Sequence, residues 1–292
     1  MLPINEFILW NNCNNDCKFC WQRKEKQQTV AHKLESLMLV KETVSDLFDT
    51  HVLYVGGEIL AETNQVIIKS LNDLYDLTFD KMKRNEIDQL YINTNILYDI
   101  NTQLVPILNK AKEFDLIRRI HFTTSGDNYG RFRNDGTNSS DELFYDNLYE
   151  IRHKYPDLPI YVNIILTDDF CNDVLDNSFD ISTYEGRHQV MVNTIPYIKF
   201  GTVIGAPTRE KVFNTLIKLN EQMPGYLLKY CDNFLLNQKI ILHKYDSDNG
   251  VLDDVSSDKS LCGHSENFKR CYSDSDECFV CDCKRLKEQL LD

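Results

Sequence analysis

The stretch that decides how this chain is read is "EFILWNNCNNDCKFC" (residues 6–20), an apolar run followed by Cys13, Cys17 and Cys20 in the spacing C-x3-C-x2-C. "EFILW" has the apolar and aromatic character of a β-strand, so the three thiols fall on the loop at its carboxyl end. Parallel β/α folds build their sites at that end of the strands. Thiols this dense select a soft metal or an iron-sulfur cluster. A zinc site normally closes with a fourth ligand, and none lies near these three. A [4Fe-4S] cluster held by three thiolates leaves one iron open to a substrate or cofactor. The competing reading is a fortuitous run of thiols, or zinc closed by a distant fourth ligand.

Outward from this loop, short β-branched or aromatic runs alternate with segments of helical period. The strand candidates are "EFILW" (6–10), "HVLYVGGE" (51–58), "QLYINTN" (89–95), "IRRIHFTTS" (117–125), "PIYVNIILT" (159–167) and "VMVNTIPYI" (190–198). Between them, Leu37, Val40, Val44, Leu47 and Phe48 share one helical face, and Ile67, Leu71, Leu74 and Tyr75 share another. "NTQLVPILNKAKEF" carries a proline expected to kink or shorten its helix. "SSDELFYDNLYEIRHKY" opens on residues of N-cap type, and "PTREKVFNTLIKLNEQM" places a proline in the first turn. Strict alternation predicts parallel β/α units with right-handed crossovers. About six units fit, too few for a closed eight-fold barrel, so the expected fold class is α/β, a partial (β/α)6 TIM-like barrel over residues 1–225. Residues 226–292 are expected to form a small cysteine-rich C-terminal extension with a second metal site.

The 32 Lys and Arg against 45 Asp and Glu leave a net charge of -13, which opposes a broad grip on long nucleic acid or an anionic lipid surface. The opening "MLPINEFILWNN" lacks the basic segment of a targeting peptide, and no run reaches the roughly 18 apolar residues of a membrane helix. The expected location is the cytoplasm, where the ten cysteines are metal ligands or reactive thiols rather than disulfides. Five of them, Cys262, Cys271, Cys278, Cys281 and Cys283, crowd the last segment beside His264. A tail this short cannot build its own core, so metal is its natural organiser. A second [4Fe-4S] cluster and a structural zinc both suit it. Cys171 and Cys231 stand alone and read as packed residues.

The loop "CNNDCKFC", with an aromatic residue before its last cysteine and a strand before its first, resembles the cluster loop of radical S-adenosylmethionine (radical SAM) enzymes. Further segments are similar to that family in the expected order. Gly56-Gly57-Glu58 matches the segment that meets the methionine amino group of SAM, where glycines allow close backbone approach and a carboxylate suits an ammonium. Thr94 and Asn95 match a Thr-Asn-Gly segment in which Ile96 replaces the glycine. The resemblance implies that Ser125 meets the ribose, that Arg131 or Arg133 meets the SAM carboxylate, and that Asn163 finds a ligand partner. Gly201, Val203 and Gly205 fit the segment near adenine, whereas Thr208 stands at its glutamate position and Glu210 lies two residues late.

If the resemblance holds, one electron from the cluster cleaves SAM to methionine and a 5'-deoxyadenosyl radical, which abstracts hydrogen from a substrate. The implied cofactors are a [4Fe-4S] cluster, SAM, and a second [4Fe-4S] cluster or zinc; the implied partners are a low-potential electron donor and a peptide or small-molecule substrate. A peptide or protein substrate, a nucleotide or other small molecule, and a non-catalytic zinc-stabilised β/α binding protein are the alternatives. Trp10, Trp21, Tyr129 and Phe132, near predicted strand ends, are candidate pocket residues, and His121 and His188 have no evident partner.

Overall fold

The computed structural model describes residues 2–15, 17, 28–126, 141–195, 207–227, 240–246 and 250–257. The chain divides into two compact units, Met1–Tyr161 with Ile240–Ser256, and Val162–Lys239 with Ser257–Asp292.

In the first unit strands and helices alternate: β1 (Ile4–Ile8), α1 (Val30–Ser45), β2 (Thr50–Val55), α2 (Gln65–Lys83), β3 (Ile87–Thr94), α3 (Leu104–Glu113), β4 (Ile120–Ser125) and α4 (Asp141–Lys154), followed by the start of β5 (Ile160–Ile165). Neighbouring strands from β1 to β4 are parallel, with Ile8 opposite Val55, Tyr54 opposite Ile92 and Thr94 opposite Thr124. This register brings their carboxyl ends to one edge. On the far side of β1 lies β7 (Ile240–Asp246), also parallel, and then β8 (Val251–Ser257). The sequence patterns did not indicate these two strands. Asn5 joins the ends of the chain: its Oδ1 bonds His243 Nε2 at 2.8 Å and its Nδ2 donates to Thr50 Oγ1 at 2.7 Å.

The helices cover the strands with the predicted apolar faces. Leu37, Val40 and Val44 of α1 and Ile67, Leu71, Leu74 and Tyr75 of α2 are buried, and the Tyr54 hydroxyl bonds Thr78 at 2.6 Å. Side chains of Thr29 and Asn64 cap the two helices by accepting first-turn N–H groups. Leu47 and Phe48 do not continue the α1 face. The helix ends at Ser45 and Asp49 turns the chain with a φ of 49°, so Phe48 is 64% exposed under the Lys81 ammonium. Pro106 neither kinks nor shortens α3, because it is the third helical residue, where a backbone N–H has no partner within the helix.

The second unit holds the rest of β5, then α5 (Asp168–Leu175), α6 (Ile181–His188), β6 (Met191–Ile195) and α7 (Arg209–Gln222). Thr167, Asp180 and Thr208 cap the three helices, and Pro207 precedes the α7 cap instead of occupying its first turn. The helices α5 and α6 are too short to show a full apolar period, and sequence reading passed over them. Cys171 is fully buried and burial pushes its thiol up, as a packed residue requires. His188 is likewise buried, its ring 4.5 Å from that of Tyr184. No helix among the described residues is long and apolar enough to cross a membrane.

Candidate functional site

The backbone beyond β1 does not leave the sheet at once. Leu9 N–H donates to Val55 O at 2.9 Å, Gly57 N–H to Trp10 O at 2.8 Å and Glu58 N–H to Asn12 O at 2.8 Å. The loop after β2 is therefore zipped to the chain that leads into Cys13. This contact explains both glycines. A Cβ on Gly56 would overlap the Trp10 carbonyl oxygen, and one on Gly57 would overlap the Asn12 carbonyl and lie 2.6 Å from Asn11 O. Close backbone approach is what the pair provides, and what approaches is the cysteine loop itself. Both ends of that loop are tied: Asn11 N–H donates to Gln28 Oε1 at 2.8 Å, and Gln28 N–H to Asn12 Oδ1 at 3.0 Å.

Cys13 and Cys17 are half-buried and neither is in a disulfide; Cys20 lies outside the described residues. The Cys13 Sγ receives Asn15 N–H at 3.4 Å and lies 4.0 Å from Asn95 Nδ2. N–H donors favour a sulfur that carries negative charge, as a metal-bound thiolate does. Asn15 is buried, and its Nδ2 has no acceptor among the described residues. That orphan donor beside the thiols suits a site completed by a bound group with acceptor atoms. On both counts the residues fit an iron-sulfur cluster.

Glu58 links the second loop to the third. Its Oε1 accepts from the Thr94 hydroxyl at 2.9 Å and from Leu60 N–H at 3.3 Å, while Oε2 accepts Asn95 N–H at 2.5 Å. Only 4% of the residue is exposed, so the carboxylate is held inside by these donors. Thr94 also shares a 2.9 Å hydrogen bond with the Tyr98 hydroxyl. Burial first, and the nearby Glu58 charge second, push that phenol well above the usual tyrosine range.

At Ile96, the position where the resembled segment has glycine, φ is 49°. The left-handed region suits glycine and is costly for a β-branched residue, yet Ile96 is fully buried there. Its surroundings enforce the turn. Ile96 N–H donates to Thr94 Oγ1 at 3.3 Å, and the buried Asn147 of α4 donates from Nδ2 to Ile96 O at 2.7 Å and Tyr98 O at 2.9 Å. Sequence reading missed Asn147, since one asparagine in a helix carries no signal of what it faces.

Among the other expected positions, Ser125 is half-buried at the end of β4, one residue past the Thr94–Thr124 pair. Asn163 belongs to the second unit, where Asn193 Nδ2 donates to its Oδ1 at 3.4 Å. Thr208 caps α7 by accepting Lys211 N–H at 3.2 Å, which accounts for a threonine where the resembled segment has glutamate; Glu210 is exposed in the first turn. Trp10 is a core residue, 1% exposed, with Lys33 Nζ 5.1 Å from its ring centroid. His121 has partners after all: its ring stacks between Tyr91 at 4.5 Å and Tyr161 at 3.9 Å, and burial lowers its pKa to about 4. Trp21, Tyr129, Phe132, Arg131, Arg133, Gly201, Val203, Gly205, Cys231, His264 and Cys262, Cys271, Cys278, Cys281 and Cys283 lie outside the described residues.

Parallel β/α units thus carry a tethered thiol loop at the carboxyl end of the first strand. No protein-family model matches the chain, and no curated protein matches its sequence. Solved structures do. Native anSMEcpe with bound AdoMet is 15% identical with a TM-score of 0.59, over 91% of this chain and 80% of that one. Native anSMEcpe with bound AdoMet and Cp18Cys peptide, also 15% identical with a TM-score of 0.59, covers 82% of this chain and 72% of that one. Streptococcus suis SuiB bound to S-adenosylmethionine is 13% identical with a TM-score of 0.51, over 84% of this chain and 51% of that one. These likenesses show the fold, the partial TIM-like barrel expected from the sequence, and the resemblance to radical SAM enzymes is borne out at that level.

Proposed function

We propose that this chain is a radical SAM enzyme in which Cys13, Cys17 and Cys20 hold a [4Fe-4S] cluster beside an S-adenosylmethionine site. The observation that carries the reading is the tethered Cys13 loop at the end of β1, on a fold shared with AdoMet-bound structures. When bound, a cluster with one open iron supplies chelation and one-electron cleavage of SAM, giving a 5'-deoxyadenosyl radical that takes hydrogen from a substrate.

The chain's own part is placement. Gly56 and Gly57 let the second loop approach the first, and Glu58 fixes Thr94 and Asn95 in the third. Ser125, Arg131 and Asn163 complete the set of residues proposed for SAM, with Arg133 as the alternative to Arg131. A peptide is the favoured substrate class, because one AdoMet-bound structure with this fold holds a peptide. The extension over residues 226–292 is proposed to carry the second metal centre through Cys262, Cys271, Cys278, Cys281 and Cys283, as a [4Fe-4S] cluster or zinc. An electron donor of low potential and a cytoplasmic setting complete the proposal.

The test is iron, sulfide and zinc content of anaerobically reconstituted protein, together with SAM cleavage under reductant. Changing Cys13, Cys17 and Cys20 to Ala is expected to remove one cluster and abolish cleavage while the C-terminal metal stays. Cleavage that survives in the triple variant refutes the assignment, and zinc without iron in the unmodified protein leaves the non-catalytic binding protein as the reading.

A further inference from the structure

The contacts around Cys13 reach past ligation. Asn95 Nδ2 lies 2.8 Å from Asn14 Oδ1 and 4.0 Å from Cys13 Sγ. An amide of this kind can turn over, exchanging its oxygen and nitrogen, but here its side-chain partners forbid it. Asn95 Oδ1 accepts Leu97 N–H at 2.8 Å, so the oxygen must face Leu97 and the nitrogen must face the cysteine loop. Asn95 backbone N–H donates to Glu58 at 2.5 Å. Asn14 is fixed in the same way: its Nδ2 donates to Leu97 O at 2.9 Å, which leaves Oδ1 for Asn95. A primary amide has two N–H groups, and with one spent on Asn14 the other is available to the sulfur. The left-handed turn at Ile96, held by Asn147, carries this arrangement on a buried and over-determined segment.

We propose that Asn95 is the side-chain donor that tunes the reduction potential of the cluster ligated by Cys13. The proposal rests on the cluster reading given above. A reduced cluster carries one more negative charge than an oxidised one, and part of that charge resides on its thiolate sulfurs. An N–H directed at such a sulfur stabilises the reduced form more than the oxidised form and raises the potential. The backbone N–H of Asn15 at 3.4 Å acts in the same sense. Among the described residues, Asn95 is the donor to Cys13 that a side-chain substitution can remove. Glu58, Asn14 and Asn147 are positioning residues in this scheme.

The experiment is a redox titration of the reconstituted full-length protein followed by electron paramagnetic resonance. The signal of the N-terminal cluster is identified by its loss when Cys13, Cys17 and Cys20 are changed to Ala. Asn95→Ser keeps an acceptor for Leu97 N–H but is too short to reach the sulfur. It is expected to keep its iron and to shift the midpoint to lower potential, with up to about tenfold less cluster reduced at a fixed poise, or ~59 mV for one electron. Asn147→Ala, which loosens the same loop without removing the amide, is expected to lower the urea midpoint and to shift the potential by less than Asn95→Ser does. An unchanged potential in Asn95→Ser with full iron overturns the proposal, as does an equal shift in Asn147→Ala. If Asn95→Ser fails to hold its cluster, Asn15→Ser protein labelled with ¹⁵N at asparagine side chains decides, because it lacks the other amide beside the thiols: a nitrogen coupling to the reduced cluster supports the donor, and its absence overturns it. Wild-type protein without iron overturns the cluster reading itself.

Discussion

Gly57→Ala isolates the backbone contact on which the site is built. A Cβ at this position overlaps the Asn12 carbonyl and comes within 2.6 Å of Asn11 O, both backbone atoms with no flexible end to swing aside. The loop after β2 must then withdraw, which breaks Gly57 N–H to Trp10 O and Glu58 N–H to Asn12 O, each 2.8 Å long. Two net hydrogen bonds contribute about 1–3 kcal/mol and residual overlap costs about 1–3 more, so the loss is roughly 2–6 kcal/mol. Against the 5–15 kcal/mol typical of folded proteins, about a third of the stability is at stake. The control is Gly186→Ala in α6, where an added Cβ meets nothing within 4 Å, and the helix gains about 0.5–1 kcal/mol. Urea unfolding by circular dichroism reads both variants with the wild type. The expected order of midpoints is Gly186→Ala, wild type, Gly57→Ala, with lower iron uptake in the last because the loop it braces carries Cys13. A Gly57→Ala midpoint equal to the wild type would refute the argument from close approach.

Two further substitutions test the packing around the site. Glycine is ordinarily less stable than alanine at a buried position, but at Ile96, with φ 49°, the order should invert: Ile96→Gly is expected to be about 1 kcal/mol more stable than Ile96→Ala, although both lose the buried side chain. Equal midpoints in urea, or alanine ahead, would mean that the turn relaxes on substitution. His121 is held neutral by burial, its pKa lowered to about 4 from 6.5, so the unfolded chain takes up the proton more readily. Its contribution is present above pH 6.5 and is lost as the pH falls toward 4. Replacing it with Phe, which keeps a ring between Tyr91 and Tyr161, should flatten the fall in stability between pH 6.5 and 4.5 by on the order of 2 kcal/mol. An undiminished slope would exclude His121 as its source.

The strands were legible because parallel strands covered by helices are nearly continuous apolar runs, and "HVLYV" and "PIYVNII" show that directly. The faces of α1 and α2 were legible for the same reason, up to the residues where φ changes sign at Asp49. Apart from the short α5 and α6, what escaped depended on distant partners. The strand β7 is recognisable only through β1, by the His243–Asn5 bond across 238 positions of sequence. Alone, its segment runs into turn-rich sequence. Within the site, the spacing of the thiols pointed to Cys13, and the resemblance to radical SAM enzymes pointed to Gly56, Gly57, Glu58, Thr94 and Asn95, which the structure places on loops bonded to one another. The partners of these residues were not readable: that Gly57 meets Trp10 O follows from the register of β1 on β2, and that Asn147 meets Ile96 follows from where α4 packs.

The loops after β1, β2 and β3 satisfy one another's polar groups: Gly57 and Glu58 N–H on the first loop, the Glu58 carboxylate on Thr94 and Asn95, and Asn95 on Asn14 beside Cys13. A residue in this chain of contacts acts on a bound ligand and on its neighbours through the same atoms. Removing the Glu58 carboxylate leaves the Asn95 N–H and the Thr94 hydroxyl without their acceptor and frees the segment that faces Cys13, whether or not Glu58 ever touches SAM. Lost activity in a Glu58 variant therefore assigns no contact by itself. The discriminating comparison is between SAM affinity and cluster properties in the same variant. A residue that only binds SAM changes the first alone, and a residue that only braces the loop changes the second even when no SAM is added.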